Sequence, residues 1–442
     1  MALQHAYVMA CAATLPRCGH TSPFHRIPTF HDPLRASRRE LWLLLTLAGV
    51  QFTHILDFMI MMPLGPQFTQ LFAISDAQFG LLVSAYTLAA GASGLLASTY
   101  IDRFGRKKLL LVLYVLFALA TLACGLAPTY GALMVARIMA GMFGGVLSAL
   151  CQTIVGDVIP FERRGRAMGI VMTSFSVATV AGVPLGLFMA THMGWHAPFI
   201  GIAALCGVLV VFAAITLPVL DGHLHRTDRP SAWRGIVEVL QDRNHQKAFV
   251  FSGLTMFAGF TVIPYITIYM QANAGLTADQ IPYLYLCGGL FTLFTARIVG
   301  RMTDQRGKAQ TYRMLAVAVI VPMVATTLLR DVPLWGALLV STLFFVLMSG
   351  RMIPGMAILT SAANPQLRGT FMTLNAAVQS AAMGLAAFVG GLIIRRDAQG
   401  MVEHYWMAAV LGSCASLLAF WMVGKLNLHS GPVVSASPQP AD

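Results

Sequence analysis

Twelve long apolar stretches punctuate the chain of 442 residues, near 41–63, 78–100, 108–126, 131–156, 167–192, 197–218, 247–271, 281–302, 311–329, 333–357, 369–394 and 404–425. Spanning a bilayer takes about 20 apolar residues in a helix. Hydrocarbon offers the backbone no hydrogen-bond partner, so runs of this length must be helices that bond within themselves. Composition agrees. Hydrophobic residues make up 57% and charged residues 10%, where soluble proteins carry about 25% charge. A soluble enzyme, a disordered chain and a secreted disulfide scaffold are excluded. So is a membrane β-barrel, whose short alternating strands never give such runs. The expected fold class is all-α integral membrane, with twelve transmembrane helices in two six-helix bundles.

The net charge of +12 does not point to nucleic acid, because the bases sit in short clusters between apolar runs. With both termini placed inside, cytoplasmic loops hold Arg103, Arg106, Lys107 and Lys108, then Arg163, Arg164 and Arg166, then Arg306, Lys308 and Arg313. External loops hold only Arg330, Arg395 and Arg396. That asymmetry predicts a multi-pass protein of the cell inner membrane with both termini cytoplasmic. Residues 1–38 contain no spanning run and no basic region ahead of their mildly apolar stretch, so they read as a disordered cytoplasmic tail, not a signal peptide. The expected divisions are that tail, an N-terminal bundle 39–218, a cytoplasmic linker 219–246, a C-terminal bundle 247–425 and a second tail 426–442. The 7 cysteines show no metal or redox spacing, and no cofactor or metal is expected.

The halves echo each other. The loop after helix two reads Asp102-Arg103-Phe-Gly105-Arg106-Lys107-Lys108, and the loop after helix eight reads Asp304-Gln-Arg-Gly307-Lys308. Six-helix repeats are an architecture of secondary transporters, whose substrate sites lie near the midplane between halves. Only one acid, Asp57, lies well inside an apolar run away from a motif loop, and His54 shares its helix face. Counting along the helices puts Asp57 roughly 12 Å and Arg137 of helix four roughly 9 Å below the outer surface. An ionised side chain in lipid is expensive, so each should face a cavity or a partner. We expect the two to pair. Burial favours the neutral acid and a guanidinium favours the ionised one, so a change in their separation would load and release a proton, with His54 in the relay. A static pair fixing helix one to helix four uses the same residues. Arg297 and Arg351 have no evident acid beside them; they suit an anionic substrate group, or backbone carbonyls. Tyr86, Gln152, Tyr265, Tyr269, Asn375 and Gln379 are the further substrate-binding candidates.

On three motifs, covering about residues 40–425, the sequence resembles the major facilitator superfamily, and within it the twelve-helix drug:proton antiporter branch that includes arabinose efflux permeases. The first motif is Ser98-Thr-Tyr-Ile-Asp102-Arg103-Phe-Gly105-Arg106-Lys107-Lys108, with Ser98 where the family pattern has Gly. The resemblance implies that this loop and Asp157 form an ion-pair latch, with Asp304 and Gly307 as its counterpart in the second half; plain positive-inside topology also explains the bases. The second is Arg137-Ile-Met-Ala-Gly141-Met-Phe-Gly144-Gly145, an arginine the family associates with coupling. The third is Gly182-Val-Pro184-Leu-Gly186, a partial match to the antiporter element of helix five, since Val183 separates Gly from Pro. The implied function is proton-coupled export of small organic molecules by a monomer working through alternating access, with small molecules, protons and the lipid bilayer as its partners. A sugar or organic-anion symporter is the alternative. A membrane receptor or enzyme is disfavoured: the chain has no nucleophile–base constellation, and no phosphate loop for an ATP-driven pump.

Overall fold

The computed structural model describes residues 38–160, 163–218, 220, 232–364 and 366–428. The predicted tails lie almost wholly outside these residues, as do 219 and 221–231 of the predicted linker, whose described remainder contains a helix, Ala232–Gln241. Twelve helices among the described residues are long and apolar enough to cross a membrane. They are α1 Arg39–Ile60, α2 Asp76–Ala97, α3 Arg106–Gly125, α4 Tyr130–Val158, α5 Ala167–Met193, α6 His196–Thr216, α7 Arg243–Ala272, α8 Ala278–Arg306, α9 Lys308–Thr326, α10 Leu334–Ala362, α11 Arg368–Ile393 and α12 Tyr405–Val423. Each coincides with an apolar run, and α1–α6 and α7–α12 form the two bundles. The described residues from Trp42 onward belong to one compact unit, in which everything below is found. α7 starts earlier than hydropathy predicts. Asp242 caps it, accepting from the amides of Asn244 at 2.7 Å and His245 at 3.2 Å, which lets polar residues form its first turn.

Prolines set the interruptions. A proline has no N–H to donate to the carbonyl four residues back. Ahead of Pro264, Pro322 and Pro354, regular helix stops at Phe260, Ala318 and Gly350, which are those carbonyl residues. In α5 the same deficit at Pro184 is absorbed by a π-helical turn over Ala178–Gly182. The breaks interrupt the regular α-helical ladder inside α5, α7, α9 and α10.

The repeat is visible in the packing. In the first bundle the Thr53 hydroxyl of α1 meets the Tyr114 hydroxyl of α3 at 2.9 Å. In the second, Thr255 of α7 meets Tyr312 of α9 at 2.6 Å. Between the bundles, α2 packs along α11 and α5 packs against α8. The α2–α11 seam is close because small residues line it. A Cβ on Gly391 would lie 2.7 Å from the Asp76 carbonyl oxygen, and the Ser84 hydroxyl donates to the Gly384 carbonyl at 2.6 Å. A two-stranded hairpin, β1 Arg395–Arg396 with β2 Val402–Glu403, joins α11 to α12. Asn273 at the end of α7 holds it through both amide atoms, to the Val402 carbonyl at 2.9 Å and amide at 2.8 Å.

The matched Thr–Tyr pairs should carry matched weights. Thr53→Val and Thr255→Val are each expected to cost about 1 kcal/mol, read as small, similar drops in the melting temperature of the purified protein. A large drop for one alone would show that the repeats are not mechanically equivalent.

Candidate functional site

The site begins with a charge pair inside the first bundle. Arg137 Nη1 lies 3.0 Å from Asp57 Oδ2, and both side chains are 0% exposed. Nη1 also reaches the Asp57 carbonyl oxygen at 3.3 Å. Glycines let α4 come this close: a Cβ on Gly141 would collide with the Tyr86 backbone, and one on Gly144 with the His54 ring. The guanidinium stands 4.2 Å from the Tyr86 ring centroid, a cation–π contact. Phe58 stacks on the same ring at 5.6 Å, and the Tyr86 hydroxyl donates to the His54 carbonyl at 3.4 Å. Asp57 Oδ1, Arg137 Nε and Nη2, and both His54 ring nitrogens find no hydrogen-bond partner among the described residues. The two side chains therefore meet through one guanidinium–carboxylate contact, with donor and acceptor capacity left over.

His54 links this pair to a cavity of about 430 Å³, which it lines together with Gly91, Ser148, Gln152, Thr373 and Ser380. The walls are α1, α2 and α4 of one bundle and α11 of the other. The cavity runs to Ile101, Thr153 and Gly369, which lie where α2 and α4 end and α11 begins. It thus extends toward the face bearing the two motif loops.

The opposite face is closed. Within the second bundle the Tyr265 hydroxyl of α7 bonds the Ala387 carbonyl of α11, and both oxygens press on Gly80 of α2, which has no room for a Cβ. A short helix, Gly65–Leu71, packs on the end of α7. Arg396 of β1 grips Asp76, the first residue of α2, with a fork: Nε to Oδ2 at 2.9 Å and Nη2 to Oδ1 at 2.8 Å. Nη2 also reaches the Thr69 hydroxyl at 3.3 Å. The Asp76 side chain is 4% exposed, and its hydrogen bonds hold the Arg396 guanidinium above its ordinary pKa. Sequence reading missed this clamp. Its one signal is the capping box Ser75–Gln78, which fixes where α2 begins.

On the motif face, Arg106 Nε bonds Asp157 Oδ2 at 3.0 Å and Arg106 Nη1 donates to the Ile101 carbonyl at 2.8 Å. Lys107 Nζ donates to the Ala214 and Leu217 carbonyls at 2.8 and 2.6 Å, at the end of α6 where cations are favoured. In the repeat, Lys308 bonds the Ser361 hydroxyl, not a carboxylate. Arg103 and Asp304 are exposed, and the Asp102 side chain lies outside what is described. The two loop glycines differ in backbone conformation. Gly307 has φ of 85° and needs a glycine, whereas Gly105 has φ of −60°, which any residue adopts. In α5, Gly182 and Gly186 face α1, where a Cβ would sit 2.8 Å from Leu56 and 2.6 Å from Ile60.

Most other candidates lie off the cavity. Arg351 is 1% exposed, sits at the α10 break, and bonds the Thr255 carbonyl at 2.8 Å and the Ser416 hydroxyl at 3.3 Å. Arg297 is exposed on α8 and does not line this cavity. Tyr265 and Tyr269 belong to the closed end, the latter packed on Tyr405 at 4.9 Å. Asn375 is buried. Gln379 donates to Ser252 at 2.9 Å beside a smaller pocket. Of the polar substrate candidates, only Gln152 lines the main cavity, and Tyr86 stands behind His54. Ser148, Thr373 and Ser380 were not singled out, since Ser and Thr on membrane helices carry no distinguishing signal.

Two helical bundles around a cavity that reaches one face and is sealed at the other define a multi-pass membrane transporter fold. The chain belongs to the Major Facilitator Superfamily, whose family model matches residues 47–387. It is 26% identical over 346 residues to the uncharacterized MFS-type transporter YtbD of Bacillus subtilis (strain 168), covering 77% of this chain and 85% of the relative. It is 25% identical over 349 residues to a chloramphenicol resistance protein of Streptomyces lividans, covering 77% and 86%. Among solved structures it resembles an inward-facing, occupied bacterial homolog of the human lysosomal transporter Spinster, with a TM-score of 0.70, 15% identity and coverage of 90% and 100%. It also resembles a D-xylose-proton symporter, with a TM-score of 0.71, 16% identity and coverage of 87% and 97%.

Removing one partner of a fully buried pair strands the other charge. Asp57→Asn is expected to destabilise the protein by about 3–5 kcal/mol, and adding Arg137→Met should recover part of that loss. Thermal unfolding of the purified variants checks this; equal stability of all three would mean the pair is energetically idle.

Proposed function

We propose that the protein exports small, largely uncharged organic molecules in exchange for protons, by alternating access, as a monomer in the cell inner membrane with both termini cytoplasmic. The observation that supports the reading best is the buried Asp57–Arg137 pair, set behind His54 at the inner end of the cavity. The rocking units are taken as 39–218 and 247–425, joined by 219–246. The chloramphenicol resistance relative favours export. Arg297 and Arg351 are not among the cavity's described lining residues, of which His54 is the one titratable member. Their absence from this lining supports an uncharged substrate over an organic anion.

The chain's own groups suggest the cycle. While ionised, Asp57 holds Arg137 and ties α1 to α4. Protonation cancels the attraction and frees the guanidinium, already supported on the Tyr86 ring, to shift. A proton moves the conformational balance only as far as its affinity differs between states, and the changed Asp57–Arg137 contact would supply that difference. Opening the sealed face requires the Arg396–Asp76 fork to part, while α5 and α8 keep the bundles in touch. On the motif face Arg106–Asp157 ties α3 to α4 and Lys308–Ser361 ties α9 to α10, each within its own bundle, so a latch between the bundles would form only when these loops exchange partners.

In vesicles, with chloramphenicol and other neutral aromatic antibiotics as probes, substrate-dependent proton flux is expected for the parent and not for Asp57→Asn present at equal amounts. Unchanged pH dependence in that variant would remove the proton role. Arg396→Gln should raise labelling of a Ser84→Cys variant by a membrane-impermeant maleimide about tenfold, equivalent to about 1.4 kcal/mol of lost closed-state preference. The charge swap Asp76→Arg with Arg396→Asp should restore protection. If Arg396→Gln leaves labelling unaltered, the fork does not hold that face shut.

A further inference from the structure

A second pocket, of about 290 Å³, lies away from the transport cavity where α8 ends, α9 begins and α12 ends. Arg306 and Arg313 line it with Gln310, and Met314, Val317 and Phe420 form its apolar side. Neither arginine makes an ion pair with a carboxylate among the described residues. The acid nearest in sequence, Asp304, is exposed on the same helix as Arg306. Arg306 Nη1 has only the Met314 sulfur at 4.0 Å. Arg313 lies over the Phe420 ring at 5.4 Å, against Gly424, where any Cβ would strike its Nη2. Its Nε is buried without a hydrogen-bond partner.

The pocket lies at helix ends, where spanning helices meet the headgroup region. Arg306 is the last residue of α8, and Arg313 is about 8 Å along α9 from its start. Beside it, the Lys425 ammonium stands 3.3 Å over the half-exposed Trp421 ring, the pairing of aromatic and base that marks a membrane interface. Two guanidiniums with spare donors and no carboxylate suit a phosphate, which takes paired N–H groups. The apolar side suits an acyl chain continuing from it. A basic pocket between helices on this face is a lipid headgroup site in chemical character. We propose that Arg306 and Arg313 hold the phosphodiester of an anionic phospholipid, as a bound lipid distinct from the transported molecule.

The test uses the full chain, passed through vesicles of phosphatidylcholine alone or an equimolar mixture with phosphatidylglycerol, then extracted and weighed by native mass spectrometry. Retained phosphatidylglycerol is expected on the parent. Arg306→Gln and Arg313→Gln should each reduce retention about fivefold, and Lys425→Gln, outside the pocket, should not. Arg306 is exposed, so its variant keeps the fold even if Arg313→Gln does not. Equal loss in all three variants would mean a general basic surface and overturn the site. Displacement of the lipid by inorganic phosphate at matched concentration would make this a free-anion site and overturn the lipid assignment.

Discussion

A carboxylate and a guanidinium buried together in apolar surroundings constrain everything around them. Desolvating two ions costs several kcal/mol each, and neither can be tolerated there without the other. Asp57 and Arg137 meet at 3.0 Å with no solvent exposure. That contact fixes the register of α1 against α4, and the glycines of α4 exist to permit it. Tyr86 gives the guanidinium a second surface to rest on, so the arginine has somewhere to stay when the acid is neutral. A pair this exacting is costly to keep as mere packing, because apolar residues of similar volume would hold two helices as well or better.

The two bundles share a plan but not a chemistry. The Thr–Tyr contact recurs between α1 and α3 and between α7 and α9. The motif-loop base recurs too, as Arg106 and Lys308. Its acceptor changes from the Asp157 carboxylate to the Ser361 hydroxyl, so the second contact lacks the Coulomb component of the first. The buried arginine of the second bundle, Arg351, is satisfied by a carbonyl and a hydroxyl at a proline-induced break and has no acid to exchange. Ionic asymmetry on a symmetric frame places the buried carboxylate–guanidinium pair in α1–α6 and gives the buried arginine of α7–α12 only neutral partners.

Hydropathy made the twelve helices legible, since lipid leaves a long apolar run one choice. The Asp57–Arg137 meeting was legible as well, because helical rise sets depth and only one acid lay at the right level. Other features were hidden for definable reasons. The early start of α7 depends on the Asp242 cap, which hydropathy does not weigh. The helix breaks follow from Pro264, Pro322 and Pro354, whose effect is local and readable but falls inside runs that look continuous. Tyr269 and Arg297 do not line this cavity, and an all-round apolar helix does not reveal which face meets it. The Arg396–Asp76 fork joins loops more than 300 residues apart, and nothing in either segment names the other.

The account stands or falls on whether Asp57 itself gains and loses a proton. Infrared difference spectroscopy of the protein in lipid, comparing alkaline with acidic conditions, reads the carbonyl stretch of a protonated carboxyl directly. The expected result is an acid-induced band, altered by chloramphenicol or another transported probe, that is absent from Asp57→Asn. The same band persisting undiminished in that variant would assign the titrating carboxyl elsewhere and reduce the Asp57–Arg137 pair to a structural tie.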